Sequence, residues 1–321
     1  MNRCRVGFVG AGGVATRHAR HLAGFPDVEI VAVTDHDAAA AQTLAGATTA
    51  RDLEALLDRS PHAVYVCVPP HAHGVIEEQA LAAGTAMFVE KPLALDLPTA
   101  QRIADAARRS GVVTAVGHHW RYSPAVAQVR ELLDGRAVRL VAGSWIDRVP
   151  PVSWWSRRAL SGGQIIEQAV HVLDLIRLLC GEVVEVTAYA NAAPPCVAEA
   201  DVDAATVAIL RFRSGAVGTV AAACCLKWKQ LAGLDIHADD VSVTIHEDCV
   251  IARTAHGPVQ RSLRPDDAKR AADRAFVDAV LGDRAARSRI LVDYDEALQT
   301  HQLACAISTS ALERRTVRLD D

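Results

Sequence analysis

The chain has 321 residues and a mass of 34.2 kDa; half of its residues are apolar, 22% are charged and the net charge is −4. This composition excludes a disordered chain, the lack of any basic stripe excludes a dedicated nucleic-acid binder, and no apolar run reaches the ~20 residues that span a bilayer. Two domains are expected, because single cores rarely grow past about 250–300 residues.

In chain order, Cys4–Val9 reads as a buried strand, Gly10–Gly13 as its turn and Ala15–Leu22 as a short helix. Glu29–Thr34 reads as a second strand ending at Asp35. Asp37–Ala45 and Arg51–Arg59 read as helices, the second with Thr49 as its capping candidate. Ala63–Val68 is a third strand, stopped by Pro69 and Pro70, and Gly74–Ala83 an amphipathic helix. Ala86–Val89 is a fourth strand, Thr99–Arg109 a helix and Val112–Gly117 a fifth strand. Apolar strands alternating with helices predict a parallel sheet covered on both faces.

The rhythm changes after residue 120. Pro124–Leu133 reads as helix, Val138–Ile146 as strand and Pro150–Ser161 as a loop carrying Trp154 and Trp155. Gln164–Leu179 reads as one strong helix. Strand-like runs follow at Val183–Ala190, Ala204–Phe212, Ala216–Cys225, Leu231–Ala238, Val241–His246 and Val250–Thr254. Lys269–Val280 and Asp293–Leu312 close the chain as helices. The predicted class is α/β: a Rossmann dinucleotide-binding domain over residues 1–121, then an α+β substrate-binding and oligomerisation domain over 122–321 with a large, mostly antiparallel sheet.

Gly10-Ala11-Gly12-Gly13-Val14-Ala15 matches the G-x-G-x-x-G/A pattern between a strand and a helix. Glycine permits the tight turn and the close approach of a pyrophosphate, which the helix N-terminus attracts through its free N–H groups. Asp35, at the end of the second strand, is placed to accept hydrogen bonds from the adenosine ribose and to repel a 2′-phosphate. NAD is therefore expected rather than NADP.

Glu90-Lys91-Pro92 follows the fourth strand directly, where open α/β sheets place ligands. A lysine there can hydrogen-bond a substrate hydroxyl and stabilise a developing oxyanion. On the helix at 164–179, Glu167, His171 and Asp174 fall on one face of an otherwise apolar sequence. Buried ionisable groups need partners or a cavity, and an imidazole is suited to accept a proton near neutral pH. Glu167 and His171 have helix spacing for a metal, but no third Cys or His ligand accompanies them, and no metal is expected. Trp154 and Trp155 offer faces suited to the C–H surface of a sugar ring. Eight scattered cysteines without a C-x-x-C pair read as buried thiols of a cytoplasmic protein.

Together these motifs resemble the Gfo/Idh/MocA oxidoreductases, which act mainly on sugars, cyclitols and their derivatives. The resemblance runs through VGFVGAGGVATRH at 6–18, VCVPPHAH at 66–73, VEKPLAL at 89–95, GHHWRYSPA at 117–125 and SGGQIIEQAVHVLDLIRLLCG at 161–181. It implies that the Gly10–Ala15 turn and Asp35 bind the adenylate half of NAD. It implies that the loop with Val68, Pro69, Pro70 and His73 covers the pyrophosphate and nicotinamide ribose. Glu90 and Lys91 would lie beside the nicotinamide, with Lys91 reaching the substrate, and Arg121 and Tyr122 would meet cofactor or substrate. His171 takes the position of the family's catalytic histidine and Asp174 that of the carboxylate after it. The commoner family pattern has Asp four residues before this histidine, where this chain has Glu167.

The resemblance implies hydride transfer between NAD(H) and a hydroxyl or ketone carbon of a sugar, amino sugar or cyclitol, with Lys91 and His171 as the acid/base candidates. It also implies a homodimer or homotetramer assembled through the second sheet; composition and charge predict no membrane or nucleic-acid partner. Two alternatives share these motifs: an NAD-dependent glycoside hydrolase of the same fold, and a non-catalytic dinucleotide or sugar sensor.

Overall fold

The computed structural model describes residues 3–44, 48–191, 193–282 and 284–319. The chain packs into two compact units. The first comprises Met1–Ala94, Pro98–His119 and Asp266–Leu298; the second comprises Leu95–Leu97, Trp120–Pro265 and Gln299–Asp321. The packing does not follow one cut near 121, because 266–298 returns to the first unit.

The first unit holds a five-stranded parallel sheet in the order β2-β1-β3-β4-β5. Its strands are β1 (Cys4–Val9), β2 (Val28–Thr34), β3 (Ala63–Val66), β4 (Ala86–Val89) and β5 (Thr114–Val116). Every residue of β3, β4 and β5 is buried, as continuous apolar strands covered on both faces must be. Because the strands are parallel, their carboxyl ends share one edge, and the turns that follow all open there. The helix Gly13–Ala23 begins at that edge. The helix expected over 37–45 runs from Ala38 to Thr43 behind the N-cap Asp37; Ala45 lies outside the described residues. The next helix is capped by Asp52, whose carboxylate accepts the Ala55 N–H at 2.8 Å, and not by Thr49, which instead bridges to Val33.

The second unit carries a nine-stranded sheet in the order β13-β12-β11-β10-β6-β9-β8-β7-β14. Its strands are β6 (Val138–Arg148), β7 (Val183–Ala190), β8 (Ala205–Phe212), β9 (Val217–Leu226), β10 (Leu231–Ala238), β11 (Val241–His246), β12 (Cys249–Thr254), β13 (Gly257–Ser262) and β14 (Val317–Arg318). All pairings are antiparallel except β6 with β9. Along β8, buried Thr206, Ala208, Leu210 and Phe212 alternate with exposed Val207, Ile209 and Arg211, the period-two signature of a sheet with one buried face. The helix Val170–Cys180 covers the inner face; Gly143 of β6 makes the approach close, since a Cβ there would sit 2.7 Å from Val172 Cγ1. On the outer face exposed Tyr189 lies opposite Val207, and Val217 opposite Leu140.

Candidate active site

In the first unit, Gly10 adopts φ +94°, a conformation that favours glycine, and a Cβ there would collide with the Cys67 carbonyl. Added Cβ atoms at Gly12 or Gly13 would meet nothing within 4 Å. Gly12 caps the helix without a side-chain hydrogen bond, so the first-turn N–H groups have no acceptor within the helix. Ala11 is buried and Val14 is exposed. Open backbone at a helix N-terminus fits a pyrophosphate. Asp35 reaches back to this turn: one carboxylate oxygen accepts the Ala11 N–H at 2.6 Å, and the other accepts the Asp37 N–H at 2.8 Å. The carboxylate therefore fixes the turn's position relative to the end of β2.

Val68 and Pro69 are half-buried, and Pro70 begins a short 3-10 turn. The His73 side chain has no exposed surface, and its Nδ1 lies 2.6 Å from Glu77 Oε1. His73 can thus meet a cofactor through its backbone only; its imidazole pins the loop to the helix Val75–Ala82.

Glu90 and Lys91 follow β4, both half-buried, and the Lys91–Pro92 peptide is cis. Glu90 Oε1 lies 3.0 Å from His18 Nε2, and Oε2 accepts the Lys91 backbone N–H at 3.2 Å. A Cβ at Gly117 would overlap this carboxylate. Burial pushes the Glu90 carboxyl up, but the His18 hydrogen bond and the charges of His18, Lys91 and Lys269 outweigh it and hold the group below its usual range. Glu90 is thus an anion beside Lys91.

In the second unit the helix expected over 164–179 is two helices, Gln164–Glu167 and Val170–Cys180. At the break the Ala169 N–H bonds to Gln164 O, five residues back, at 2.9 Å. Such π-type irregularities are frequent at functional sites. The Gln164 side chain holds the break in place, donating to Ala223 O at 2.9 Å and to Gln168 Oε1 at 3.1 Å.

The break separates Glu167 from His171 and Asp174, which stay together on the second helix. His171 is buried, and its ring lies nearly parallel to those of Trp120 and Trp145, with centroids 6.0 and 5.9 Å away. Lys229 Nζ stands 4.2 Å over the Trp145 ring and pairs with Glu247 at 2.6 Å. Glu167, half-buried, accepts the Trp155 indole N–H at 2.6 Å. Trp155 is completely buried against Val202 and Cys224, so it offers no face to a sugar; its contribution is to hold Glu167. Trp154 is half-buried against the same cluster.

Asp174 is 1% exposed and forms a bidentate pair with Arg121 at 2.7 and 2.8 Å, and its Oδ1 also accepts the Thr300 hydroxyl at 3.1 Å. The resemblance implies that Arg121 meets cofactor or substrate and that Asp174 is the family's second carboxylate. Their charged atoms instead face each other, because a buried guanidinium and a buried carboxylate each need a partner. The pair ties the 3-10 turn His119–Tyr122, with half-buried Tyr122, to the helix bearing His171.

Sequence reading singled out neither Trp120 nor Trp145, because an isolated tryptophan carries no spacing signal. It also missed Asp273, whose carboxylate lies 2.6 Å from His18 and 2.8 Å from His21 across more than 250 residues of sequence.

Residues 4–118 match the family model described as "Oxidoreductase family, NAD-binding Rossmann fold", and residues 126–245 match "GFO/IDH/MocA C-terminal domain". The chain is similar to the inositol 2-dehydrogenase of Rhizobium meliloti, 33% identical over 58% of each protein, so the match spans less than two thirds of that relative. It is similar to the myo-inositol dehydrogenase Hyg17 of Streptomyces leeuwenhoekii, 32% identical over 73% of each. Among solved structures it superposes on GenD2 from gentamicin A biosynthesis, in complex with NAD, with a TM-score of 0.87 and 26% identity, covering 100% of this chain and 97% of that one. By these matches along both units, the chain belongs to the Gfo/Idh/MocA family of oxidoreductases, with an NAD-binding Rossmann fold.

Proposed function

We propose that the protein is an NAD-dependent dehydrogenase acting on a hydroxyl-bearing carbon of a sugar, amino sugar or cyclitol. The observation that carries this reading lies in the first unit. An open glycine turn at a helix N-terminus and the Glu90–Lys91 pair both follow strands of one parallel sheet, at its carboxyl edge. The inositol dehydrogenase relatives support the substrate class.

In this reading Gly10–Val14 take the pyrophosphate, Asp35 takes the ribose hydroxyls and disfavours a 2′-phosphate, and the loop 68–73 covers the next part of the cofactor. Bound NAD supplies the hydride acceptor. Lys91 in the first unit and His171 in the second are the two candidates for the group that takes the hydroxyl proton. Glu167, Tyr122 and Trp154 contact substrate. Arg121, Asp174 and Trp155 act by positioning these groups. The exposed apolar face of β6–β9 supports a homodimer or homotetramer, and eight free thiols support a reducing, cytoplasmic setting. No helix among the described residues is long and apolar enough to cross a membrane.

The test is a panel of cyclitols, sugars and amino sugars, starting with myo-inositol, offered with NAD and with NADP and followed at the reduced-nicotinamide absorbance. NAD-dependent turnover on a panel member is expected. No absorbance change with either cofactor on any member would overturn the reading.

A further inference from the structure

Behind Glu90 lies a chain of side chains for which the proposed chemistry has so far assigned no task. His18 and His21 share one face of the helix Gly13–Ala23, and Asp273 comes from the helix Pro265–Val280. Asp266 Oδ1 lies 3.3 Å from His21 Nε2, and His21 Nδ1 lies 2.8 Å from Asp273 Oδ2. Asp273 Oδ1 lies 2.6 Å from His18 Nδ1, and His18 Nε2 lies 3.0 Å from Glu90 Oε1. Carboxylate and imidazole alternate, hydrogen-bonded from His21 to Glu90, while His21 Nε2 and the exposed Asp266 stand at ion-pair distance without a hydrogen bond. The Asp266 side chain is 58% exposed, whereas those of His21, Asp273 and His18 are at most 5% exposed. One end of the chain meets solvent, and the other meets the residue before Lys91.

We infer that Asp266, His21, Asp273 and His18 form a proton relay that carries the proton of each turnover between Glu90 and solvent. This inference rests on the dehydrogenase reading. In oxidation the substrate C–H bond breaks and its electron pair goes to the nicotinamide, while the O–H proton is released and the C=O bond forms. Carbon loses two electrons and nicotinamide gains them, leaving one proton to export. Lys91 hands it to Glu90. His18, already protonated on both nitrogens, gives one proton to Asp273 as it takes one from Glu90; a turn of the Asp273 carboxyl presents that proton to His21, which gives up the proton on its other nitrogen toward Asp266, so a proton entering at Glu90 releases a different one at the surface. Reduction runs the same path inward.

The surroundings suit this traffic. Burial alone would lower the His18 pKa, but the charge and hydrogen bond of Asp273, then Glu90, push it up to about 10. Burial pushes Asp273 up, but His18 and His21 outweigh it and hold the carboxyl below its usual range. The proton thus rests on His18 between two anions. The other titratable groups around the chain include Tyr65, Cys67, Cys4, Lys91, Lys269, His118, His119 and Arg20. Burial first, then nearby anions, pushes Tyr65 and Cys67 well up, so both stay protonated. Burial first, then the charges of Lys269 and Lys91, holds His119 well below its usual range, so it stays neutral. Arg20 pairs with Asp266 at the surface at 3.1 Å. His18, His21 and Asp273 also have ligand atoms within 4.8 Å of one another, close enough to hold a metal ion. Their contacts of 2.6 and 2.8 Å are hydrogen-bond lengths, and an ion would have to displace the shared protons.

The test compares wild type with His21→Gln and Asp273→Asn on the panel member that turns over best, with C–H and C–D substrate, in H₂O and D₂O. Interrupting the relay is expected to lower kcat about tenfold, less than the ~10²–10⁴-fold loss from removing the general acid or base itself. KM and NAD affinity should stay within twofold. The solvent isotope effect should rise as the C–D effect shrinks, and added imidazole should restore turnover. Should Asp273→Asn fail to fold, the wild-type proton inventory decides: a curved dependence on deuterium fraction supports several protons in flight, and a linear one overturns the relay. Turnover within twofold of wild type in the variants, or a loss with unchanged isotope effects and no rescue, also overturns it. Stoichiometric divalent metal in the purified protein would do the same. If wild type turns over no panel member, the dehydrogenase reading falls and the relay with it, whereas normal wild-type turnover with silent variants removes the relay alone.

Discussion

Two buried histidines, one in each unit, show how differently a fold can set an imidazole. His18, 4% exposed, lies between the carboxylates of Asp273 and Glu90. His171, 8% exposed, lies nearly parallel to two indoles, at 15° to Trp120 and 23° to Trp145. Carboxylates fix a charge, and they keep a proton on His18 far above neutral pH. Indole faces fix a plane, so they orient the His171 ring. The same side chain is a charge store in one place and an aimed ring in the other.

The contrast can be attacked at several points. The largest effect is expected from His171→Asn, with turnover lowered about 10²–10⁴-fold and NAD affinity within twofold. Steady-state kinetics and calorimetry read both, and near-normal turnover would remove His171 from the chemistry. Trp145→Leu keeps the imidazole but loses the stacking, so it should lower kcat by a smaller factor.

Next in size is the buried pair behind the aromatic nest. Arg121→Met leaves the Asp174 carboxylate buried with its bidentate partner gone, which should destabilise the fold by about 3–5 kcal/mol. A urea midpoint unchanged from wild type would show that the pair does not anchor the helix.

The pH dependence of stability reads the charge held on His18. The folded pKa of His18, about 10, exceeds the ordinary unfolded value of about 6.5. Its contribution is therefore fully present below pH ~6.5 and is lost as pH rises toward 10. Glu90 and Asp273 are depressed in the fold, so their contributions are lost on the acid side, as pH falls through their folded pKa values. His18→Gln should flatten the alkaline limb of a urea-midpoint profile. The smallest effect belongs to Trp155→Phe. It removes one indole N–H from Glu167 and should cost about 1.5–3 kcal/mol of stability at most, with a few-fold change in KM.

Local patterns were legible in the sequence and long-range pairs were not. β1 and β4 have the bounds that their apolar runs predict, and the Gly10–Gly13 turn lies between strand and helix as its spacing requires. The helix at 164–179 looked continuous because its apolar residues keep helical spacing across the break. What interrupts it is Gln164 reaching β9, a tertiary contact with no local signature. Trp155 looked like a sugar platform because an exposed and a buried indole are the same letter. Glu167, His171 and Asp174 were found from their spacing, but their partners Trp155, Trp120 and Arg121 come from other segments. Thr49 lost its capping role to Asp52, three residues on, whose carboxylate accepts more readily than a hydroxyl.

The return of 266–298 to the first unit bears on how the protein is made. The aromatic stack of Tyr65 and Phe88 is closed edge-on by Phe276, and the Val116 N–H bonds to Val292 O at 3.0 Å. Asp273 arrives with the same segment. During synthesis the dinucleotide unit therefore waits for almost the whole chain, and until then His18 and His21 lack the carboxylate that joins them. Domains usually mature in order from the N-terminus. Here the first unit lacks a wall until 266–298 arrives, and the second unit's sheet receives its edge strand β14 later still. A fragment ending at residue 121 would be an unsealed core whose two imidazoles lack their shared carboxylate.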